Sequence, residues 1–272
     1  MSDPLDFSGK TVLVVGGSSG IGNGIAQAFR ARGARVHVWG TRASAAHYRA
    51  QAAPRQAGSG QTGSRQTGSR QTGSRQTGSD LTGLHYDQVD VSDAGAIERY
   101  AAPFEALDVL VLSQGVVRYG QAEFESAPFR DVVEINLNSV MTCCMRFYPL
   151  LKSTGGSVIT VSSTAAFHST RGNPAYNASK AGLVGLTRTL GEAWARDGVR
   201  VNGIAPGFVA TKLTEVTTRD PERTEKALRR IPLRRMGTVG EMAGAALFLA
   251  SPLASYVIGQ TLPVDGGLVL GG

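Results

Sequence analysis

Short apolar strands alternate with longer helical segments along almost the whole chain of 272 residues. Runs such as Thr11–Val15 and Val109–Leu112 are continuously apolar, which is typical of strands that are buried on both faces. Such strands pair in parallel, because the helices between them cover both faces of the sheet. We therefore predict an α/β fold with a doubly wound parallel sheet. The predicted strands are 11–15, 35–39, 84–89, 109–112, 157–161, 200–204 and 261–264, and the predicted helices are 21–32, 129–150, 175–196 and 241–249.

A five-residue repeat interrupts this alternation. The unit Gln-Thr-Gly-Ser-Arg occurs three times in 61–75 and is followed by Gln-Thr-Gly-Ser-Asp in 76–80. It contains no apolar side chain larger than threonine, so it cannot form a buried face, and its glycine and serine oppose both helix and strand. We predict a single domain over 1–272 with a disordered, flexible loop at 55–80. A basic tether for phosphate or nucleic acid is the alternative for this loop.

The charge balance raises the question of an anionic partner. The chain has 28 Lys and Arg against 21 Asp and Glu, a formal net charge of +7, to which the loop at 55–80 contributes four arginines and one aspartate. Since this loop has no aromatic side chain to stack on bases, we expect no nucleic-acid partner. No apolar run reaches the length of a membrane span, so we expect no membrane association either.

The cysteines and histidines indicate the compartment and the absence of a metal site. Cys143 and Cys144 are adjacent, which excludes an ordinary disulfide framework and favours small buried side chains in a reducing compartment. The N-terminal residues lack the layout of a secretory signal, and we expect a cytoplasmic protein. The four histidines have no ligand spacing with cysteines or carboxylates, so we expect no metal.

A glycine-rich turn follows the first predicted strand, with the sequence Gly16-Gly17-Ser18-Ser19-Gly20-Ile21-Gly22. The first glycine allows the sharp turn, the second lets the backbone approach a pyrophosphate, and the third permits close packing of helix and strand. The exposed N–H groups at the helix start would then face the anion. The turn predicts a phosphate site, although such glycines can also be purely structural.

A tyrosine and a lysine lie four residues apart on a predicted helix, at Tyr176 and Lys180. This spacing puts both side chains on one helix face, and a nearby ammonium lowers the pKa of a tyrosine hydroxyl, which favours acid–base chemistry. Ser163 lies thirteen residues before Tyr176, at a strand end, where its hydroxyl can bond a substrate carbonyl. Each of these residues, like Asn136 in the long helix, could by itself be structural.

Together the glycine turn and Tyr176-Asn177-Ala178-Ser179-Lys180 resemble the short-chain dehydrogenase/reductase family, most similar in pattern to 3-oxoacyl-acyl-carrier-protein reductases. The resemblance implies a Rossmann-type fold in which Tyr176 gives the proton, Lys180 also binds ribose, Ser163 polarises the carbonyl and Asn136 holds a water relay. It further implies a cofactor site made of Gly16, Ser18, Ser19, Gly20, Ile21, Gly22, Arg42, Asp90, Val91, Gly115, Tyr176, Lys180, Pro206, Gly207, Val209 and Thr211.

Two positions near strand ends bear on the cofactor. Gly40 stands where an acidic residue would bind the adenosine ribose, and Arg42 follows within reach of a 2′-phosphate, which favours NADP (NADPH) over NAD. After the fourth strand the family usually carries Asn-Asn-Ala-Gly, whereas this chain has Leu112-Ser113-Gln114-Gly115. We expect the loss of both asparagines to remove hydrogen bonds that stiffen this strand end.

The segment 211–235 holds eight cationic and four acidic side chains. It is either a solvated charged helix or a surface that attracts an anionic substrate, such as an acyl group on acyl carrier protein or coenzyme A. We predict hydride transfer between NADP(H) and a carbonyl or secondary alcohol, in a homo-oligomer (tetramer or dimer). The alternative is a non-catalytic dinucleotide-binding sensor on the same fold.

Overall fold

The computed structural model describes residues 3–43 and 80–271. Within these residues seven strands form one parallel sheet in the order β3-β2-β1-β4-β5-β6-β7, which confirms the predicted α/β architecture. Successive strands are added toward one edge of the sheet from β1 to β3 and toward the other edge from β4 to β7. Such a change between β1 and β4 is typical of a doubly wound sheet, which binds ligands at this point. The strands are β1 (Thr11–Val15), β2 (Arg35–Gly40), β3 (His85–Gln88), β4 (Val109–Leu112), β5 (Ser157–Val161), β6 (Arg200–Pro206) and β7 (Thr261–Val264).

The helices agree with the predicted ones except in the long segment 129–150. Instead of one helix, this segment belongs to two α-helices joined by a π turn, Glu134–Asn138, which nothing in the apolar pattern indicates. The prediction missed α2 and α3 as separate helices, while α6 and α7 lie in the segment 211–235, for which a solvated charged helix is one of the two interpretations. The helices are α1 (Gly20–Ala31), α2 (Ala94–Arg99), α3 (Ser126–Val133), α4 (Ser139–Thr154), α5 (Pro174–Trp194), α6 (Glu215–Thr218), α7 (Pro221–Arg230) and α8 (Val239–Ala250).

Two hydrophobic clusters hold the layers together, one on each face of the sheet. On one face Phe29 of α1 and Met242 of α8 pack against β1. On the other face Phe147 of α4 and Leu183 of α5 pack with Trp39 of β2. The helices therefore cover both faces of the sheet, while the carboxyl ends of the strands remain open to a ligand.

The cysteines belong to the second of these clusters. Cys143 and Cys144 are free, fully buried thiols on α4. Burial raises the pKa of both, that of Cys144 to about 12, so neither is a thiolate at neutral pH. Among the described residues no helix is both long and apolar enough to cross a membrane.

The predicted loop at 55–80 lies outside the described residues, apart from Asp80. Asp80 itself lies against α1: its carbonyl accepts hydrogen bonds of 2.7 Å from the side-chain amides of Asn23 and Gln27. Asn23 Oδ1 in turn accepts the Asp80 N–H at 3.1 Å. Asn23 also donates to the carbonyl of Gly17, so this contact is connected directly to the glycine turn.

Candidate active site

A cleft of about 730 Å³ opens at the carboxyl ends of the strands. Ser163, Tyr176 and Lys180 line it, as do all sixteen residues of the predicted cofactor site, from Gly16 to Thr211. Asn136 lies just behind the cleft wall and is fully buried. The structure therefore brings the separately predicted motifs into one site.

The close packing of the glycine turn against its neighbours requires glycine at two of its positions. Gly16 has a φ of 75°, and a Cβ there would lie 2.8 Å from the backbone nitrogen of Gln114. A Cβ on Gly22 would lie 2.4 Å from the Gly16 carbonyl oxygen. Ser19, the N-cap of α1, makes no side-chain capping bond, and the first turn contains no acidic residue. The start of α1 is thus a suitable anion site.

The end of β4 is stiffened despite its unusual sequence. Gln114 is buried, and its amide donates to the Ser139 hydroxyl at 3.1 Å. Asn136 clamps the next residues: its Oδ1 accepts the Val116 N–H at 2.8 Å and its Nδ2 donates to the Val116 carbonyl at 2.9 Å. Side chains from the π turn and α4 therefore support this strand end, where the two asparagines are absent.

Helix α5 positions the tyrosine and the lysine. It begins at Pro174, whose fixed φ suits a first helical position, so Tyr176 lies in the first turn and Lys180 one turn later. The Lys180 ammonium is buried, donates to the Val161 carbonyl at 2.9 Å and lies 5.8 Å from the centre of the Tyr176 ring. A Cβ on Gly115 would meet this ammonium at 3.4 Å, so the lysine also lies against the end of β4.

The protonation equilibria differ from those expected. Burial raises the pKa of Tyr176, and its hydrogen bond with Ser163 lowers the pKa only in part. Burial also lowers the pKa of Lys180 to about 8. The prediction that the lysine brings the tyrosine pKa toward neutrality is wrong for this structure, because desolvation outweighs the hydrogen bond from Ser163.

The two serines after β5 have different partners. The Ser162 hydroxyl donates to the Lys180 carbonyl at 2.9 Å and is buried. The Ser163 hydroxyl accepts the Ala165 N–H at 3.1 Å and interacts with Tyr176. Both serines line the cleft, and Ser163 is the one whose side chain forms a hydrogen bond with Tyr176.

Arg42 lies at the cleft beyond β2. The Tyr86 hydroxyl donates to the Arg42 carbonyl, and the Gln88 amide donates to the Thr41 carbonyl at 3.1 Å. These two hydrogen bonds from β3 fix the backbone of Thr41 and Arg42. The Cα atom of Arg42 is therefore held at the rim of the cleft.

Ion pairs involve most of the charged side chains of the segment 211–235, although they leave its excess of cations in place. Its four acidic residues each form an ion pair with a cation three or four positions away, and Arg235 pairs with Glu241 of α8. Lys212 lines the cleft and forms no ion pair among the described residues. A hydrogen bond also joins two residues of the cleft lining: the Tyr119 hydroxyl donates to the Leu213 carbonyl at 2.8 Å.

One residue of this region was not predicted. Glu123 is fully buried and accepts the backbone N–H of Tyr176 at 2.9 Å. In the sequence it is one of two acidic residues in Glu123-Phe124-Glu125, and no periodicity distinguishes it from its exposed neighbour. Among the described residues, no group of three or more His, Cys, Asp or Glu side chains has a metal-binding arrangement.

Comparisons with known proteins agree with this geometry. The profile of a family described as enoyl-(acyl carrier protein) reductase matches residues 62–269. The 3-oxoacyl-[acyl-carrier-protein] reductase FabG of Chlamydia trachomatis serovar D is 36% identical over 265 residues, which are 95% of this chain and 97% of that protein. The 2-dehydro-3-deoxy-D-gluconate 5-dehydrogenase of Bacillus subtilis is 34% identical over 272 residues, 98% of this chain and 97% of the relative.

A solved structure extends the similarity to the fold. It is that of a Beutenbergia cavernae protein proposed to be an NAD(P)-dependent gluconate 5-dehydrogenase, with NADP bound at low occupancy. It is 33% identical, has a TM-score of 0.80 and covers 98% of this chain and 100% of its own. The similarity supports a catalytic oxidoreductase and does not support the alternative of a non-catalytic dinucleotide-binding sensor. The chain belongs to the short-chain dehydrogenase/reductase family and is an oxidoreductase of CH–OH and C=O groups.

Proposed function

We propose that the protein is an NADP-preferring reductase of carbonyl compounds, with Tyr176, Ser163, Lys180 and Asn136 as its catalytic residues. The observation that carries the proposal is the joint position of the Tyr176, Ser163 and Lys180 side chains in the cleft that begins at the glycine turn. NADPH, when bound, supplies the hydride. The residues Gly16–Gly22 would hold its phosphates, and Arg42 its 2′-phosphate.

The chemistry of the chain's own residues follows from their contacts. Ser163 orients the substrate carbonyl by donating a hydrogen bond to its oxygen, beside the Tyr176 hydroxyl. Tyr176 delivers a proton to that oxygen as it becomes an alkoxide, and takes the proton back in the reverse direction. Lys180 provides positive charge where the phenolate forms, and Asn136 holds the backbone after β4 that lies next to this ammonium.

The substrate is proposed to carry a negative charge. Lys212 at the cleft, and the named substrates of the relatives (an acyl group on acyl carrier protein and a keto sugar acid), support this class. The test is a panel of 3-oxoacyl thioesters on carrier protein or coenzyme A, keto sugar acids and neutral ketones, each with NADPH and NADH. Turnover of the charged ketones with NADPH supports the proposal, and turnover confined to neutral ketones contradicts it.

The Arg42→Ala substitution tests the cofactor preference. We expect the Kd of NADPH to rise by roughly tenfold or more, because a charge-assisted bond to phosphate is lost, while the Kd of NADH changes little. Cofactor fluorescence titration measures both constants. Arg99→Ala, at an exposed arginine outside the cleft, is the control. Equal effects of Arg42→Ala on both cofactors would contradict the assignment.

The Ser163→Ala substitution tests the carbonyl contact. We expect kcat to fall roughly 10²-fold, the effect of removing one donor to a developing oxyanion, without a change in the Kd of NADPH. Steady-state kinetics and cofactor titration separate the two effects, with the exposed Ser153→Ala as the control. A wild-type kcat in Ser163→Ala would exclude this role.

The assembly and compartment are part of the proposal. Phe129 and Met141 are partly exposed, and Met145 is 53% exposed, on the neighbouring helices α3 and α4. We propose that a second copy covers these side chains, in a homotetramer or dimer in the cytoplasm, where the two free thiols stay reduced. Light scattering after gel filtration measures the assembly, and a monomer at micromolar concentration would refute it.

A further inference from the structure

A carboxylate is buried next to an exposed phenyl ring in the segment that follows β4. Glu123 has no exposed surface, whereas Phe124 is 68% exposed. Burial of a charge is unfavourable unless the charge is hydrogen-bonded, and stability alone would favour the opposite arrangement. The arrangement therefore indicates a specific use for the carboxylate inside the protein.

Both oxygens of Glu123 accept N–H groups that come from two other parts of the site. Oε1 accepts the Arg118 N–H at 2.9 Å and the Asn173 side-chain amide at 3.3 Å. Oε2 accepts the backbone N–H of Tyr176 at 2.9 Å. Glu123 thus ties the strand end after β4 to the residue we propose as the proton donor.

The Tyr176 N–H needs such a partner because of its position. It lies in the first turn of α5, where backbone N–H groups have no acceptor within the helix. The N-cap residue Asn173 makes no side-chain capping bond. Glu123 fills this role from another segment, and a negative charge at a helix N-terminus is favourable.

The backbone before Glu123 is shaped to turn it inward. Gln121, a residue with a side chain, has a φ of 64°, and Gly120 before it has a φ of 72°. Left-handed backbone is unfavourable for glutamine and persists where the surrounding structure requires it. The turn leads into Ala122–Phe124, which places the Glu123 side chain under the start of α5.

We propose that Glu123 is a positioning residue for catalysis, which fixes the backbone of Tyr176 and places a negative charge at the start of α5. The inference rests on the catalytic role proposed for Tyr176. It predicts two separable effects of removing the charge, one on the rate and one on the proton equilibrium.

The sign of the second effect follows from the groups around Tyr176. Glu123 and Tyr119, from the segment after β4, both raise the pKa of Tyr176. The other charged or titratable residues that line the cleft are Lys180 on α5, His168 after β5, Lys212 after β6, Arg42 after β2 and Asp90 after β3. Loss of the Glu123 charge therefore lowers the pKa of the tyrosine, since one repulsive contribution to the phenolate is removed.

The experiment compares Glu123→Gln with Glu125→Gln, a matched change at the exposed neighbouring acid. In Glu123→Gln we expect kcat to fall on the order of tenfold, the effect of a small displacement of the proton donor, with an unchanged Kd for NADPH. The alkaline inflection of the pH–rate profile is expected to move to lower pH. Glu125→Gln should resemble the wild type in all three measurements.

A second measurement does not depend on turnover. The phenolate absorbance of Tyr176 is titrated in the wild type and in Glu123→Gln, with Tyr176→Phe subtracted from each background. A shift of the titration to lower pH supports the inference. The inference would be overturned if the titration of Tyr176 does not shift. It would also be overturned if kcat falls only together with the melting temperature while the alkaline inflection of the pH–rate profile stays at its wild-type pH.

The same set of variants separates the inference from its premise. If Tyr176→Phe keeps full activity, the proposed catalytic residue is wrong. If Tyr176→Phe is inactive and Glu123→Gln behaves like Glu125→Gln, only the role of Glu123 is wrong.

Discussion

Replacement of Tyr176 by phenylalanine is expected to lower kcat for carbonyl reduction by roughly 10²- to 10⁴-fold, the contribution of a positioned general acid. The ring is retained, so packing against the Lys180 side chain and the NADPH site should persist. The Kd of NADPH is therefore expected to stay near its wild-type value. Single-turnover loss of NADPH absorbance and a fluorescence titration measure the two quantities.

The control for this change is Tyr256→Phe, at a fully exposed tyrosine far from the cleft lining. It removes the same hydroxyl group and should leave both kinetics and cofactor binding unchanged. Full activity in Tyr176→Phe would refute the assigned proton donor. Loss of NADPH binding together with activity would show that the variant reports on the cofactor site instead.

The raised pKa of Tyr176 also fixes the direction of the pH dependence in the wild type. Since burial disfavours the phenolate, the hydroxyl is protonated at neutral pH and is ready to donate. We expect carbonyl reduction to be independent of pH near neutrality and to fall at alkaline pH. Alcohol oxidation, which needs the phenolate, should rise with pH over the same range. An oxidation optimum at acid pH would contradict this assignment.

Much of the fold could be predicted because its signals are local. The strand Thr11–Val15 is apolar throughout, and its five residues are all buried in the sheet. The strand Thr261–Val264 also ends where the sequence predicts. The glycine turn could be predicted for the same reason, since each glycine meets a steric demand within a few residues or against the next strand.

The site features that were missed depend on contacts between distant segments. Glu123 and Tyr176 are 53 positions apart, and only the folded chain brings them together. The pKa of Tyr176 depends on how deeply α5 and its neighbours bury the hydroxyl, which spacing along a helix does not reveal. The hydrogen bonds between Asn136 in the π turn and Val116 likewise join segments that are 20 positions apart. Sequence patterns therefore indicated which residues line the cleft better than they indicated the environment of those residues.

The Lys180→Met substitution is expected to abolish activity and yet stabilise the protein. The lysine is only 4% exposed, and burial lowers its pKa from 10.5 to about 8. This shift corresponds to about 3 kcal/mol of unfavourable burial at neutral pH. Methionine fills a similar volume without the charge, and loss of the charge-assisted bond to the Val161 carbonyl offsets about 2 kcal/mol of the gain. We expect a net increase in the free energy of unfolding of about 1 kcal/mol.

The pH dependence of this gain distinguishes it from ordinary repacking. The pKa of Lys180 is lower in the folded protein than in the unfolded chain. Burial of the ammonium therefore destabilises the wild type fully below about pH 8, and this destabilisation disappears as the pH approaches 10.5. Urea unfolding of both proteins should show the largest difference near neutrality and a smaller one toward pH 10.5. Lys152→Met, at an exposed lysine that pairs with Asp197, should give no gain. A destabilised Lys180→Met, or a gain that does not change with pH, would mean that the buried ammonium is well compensated where it lies.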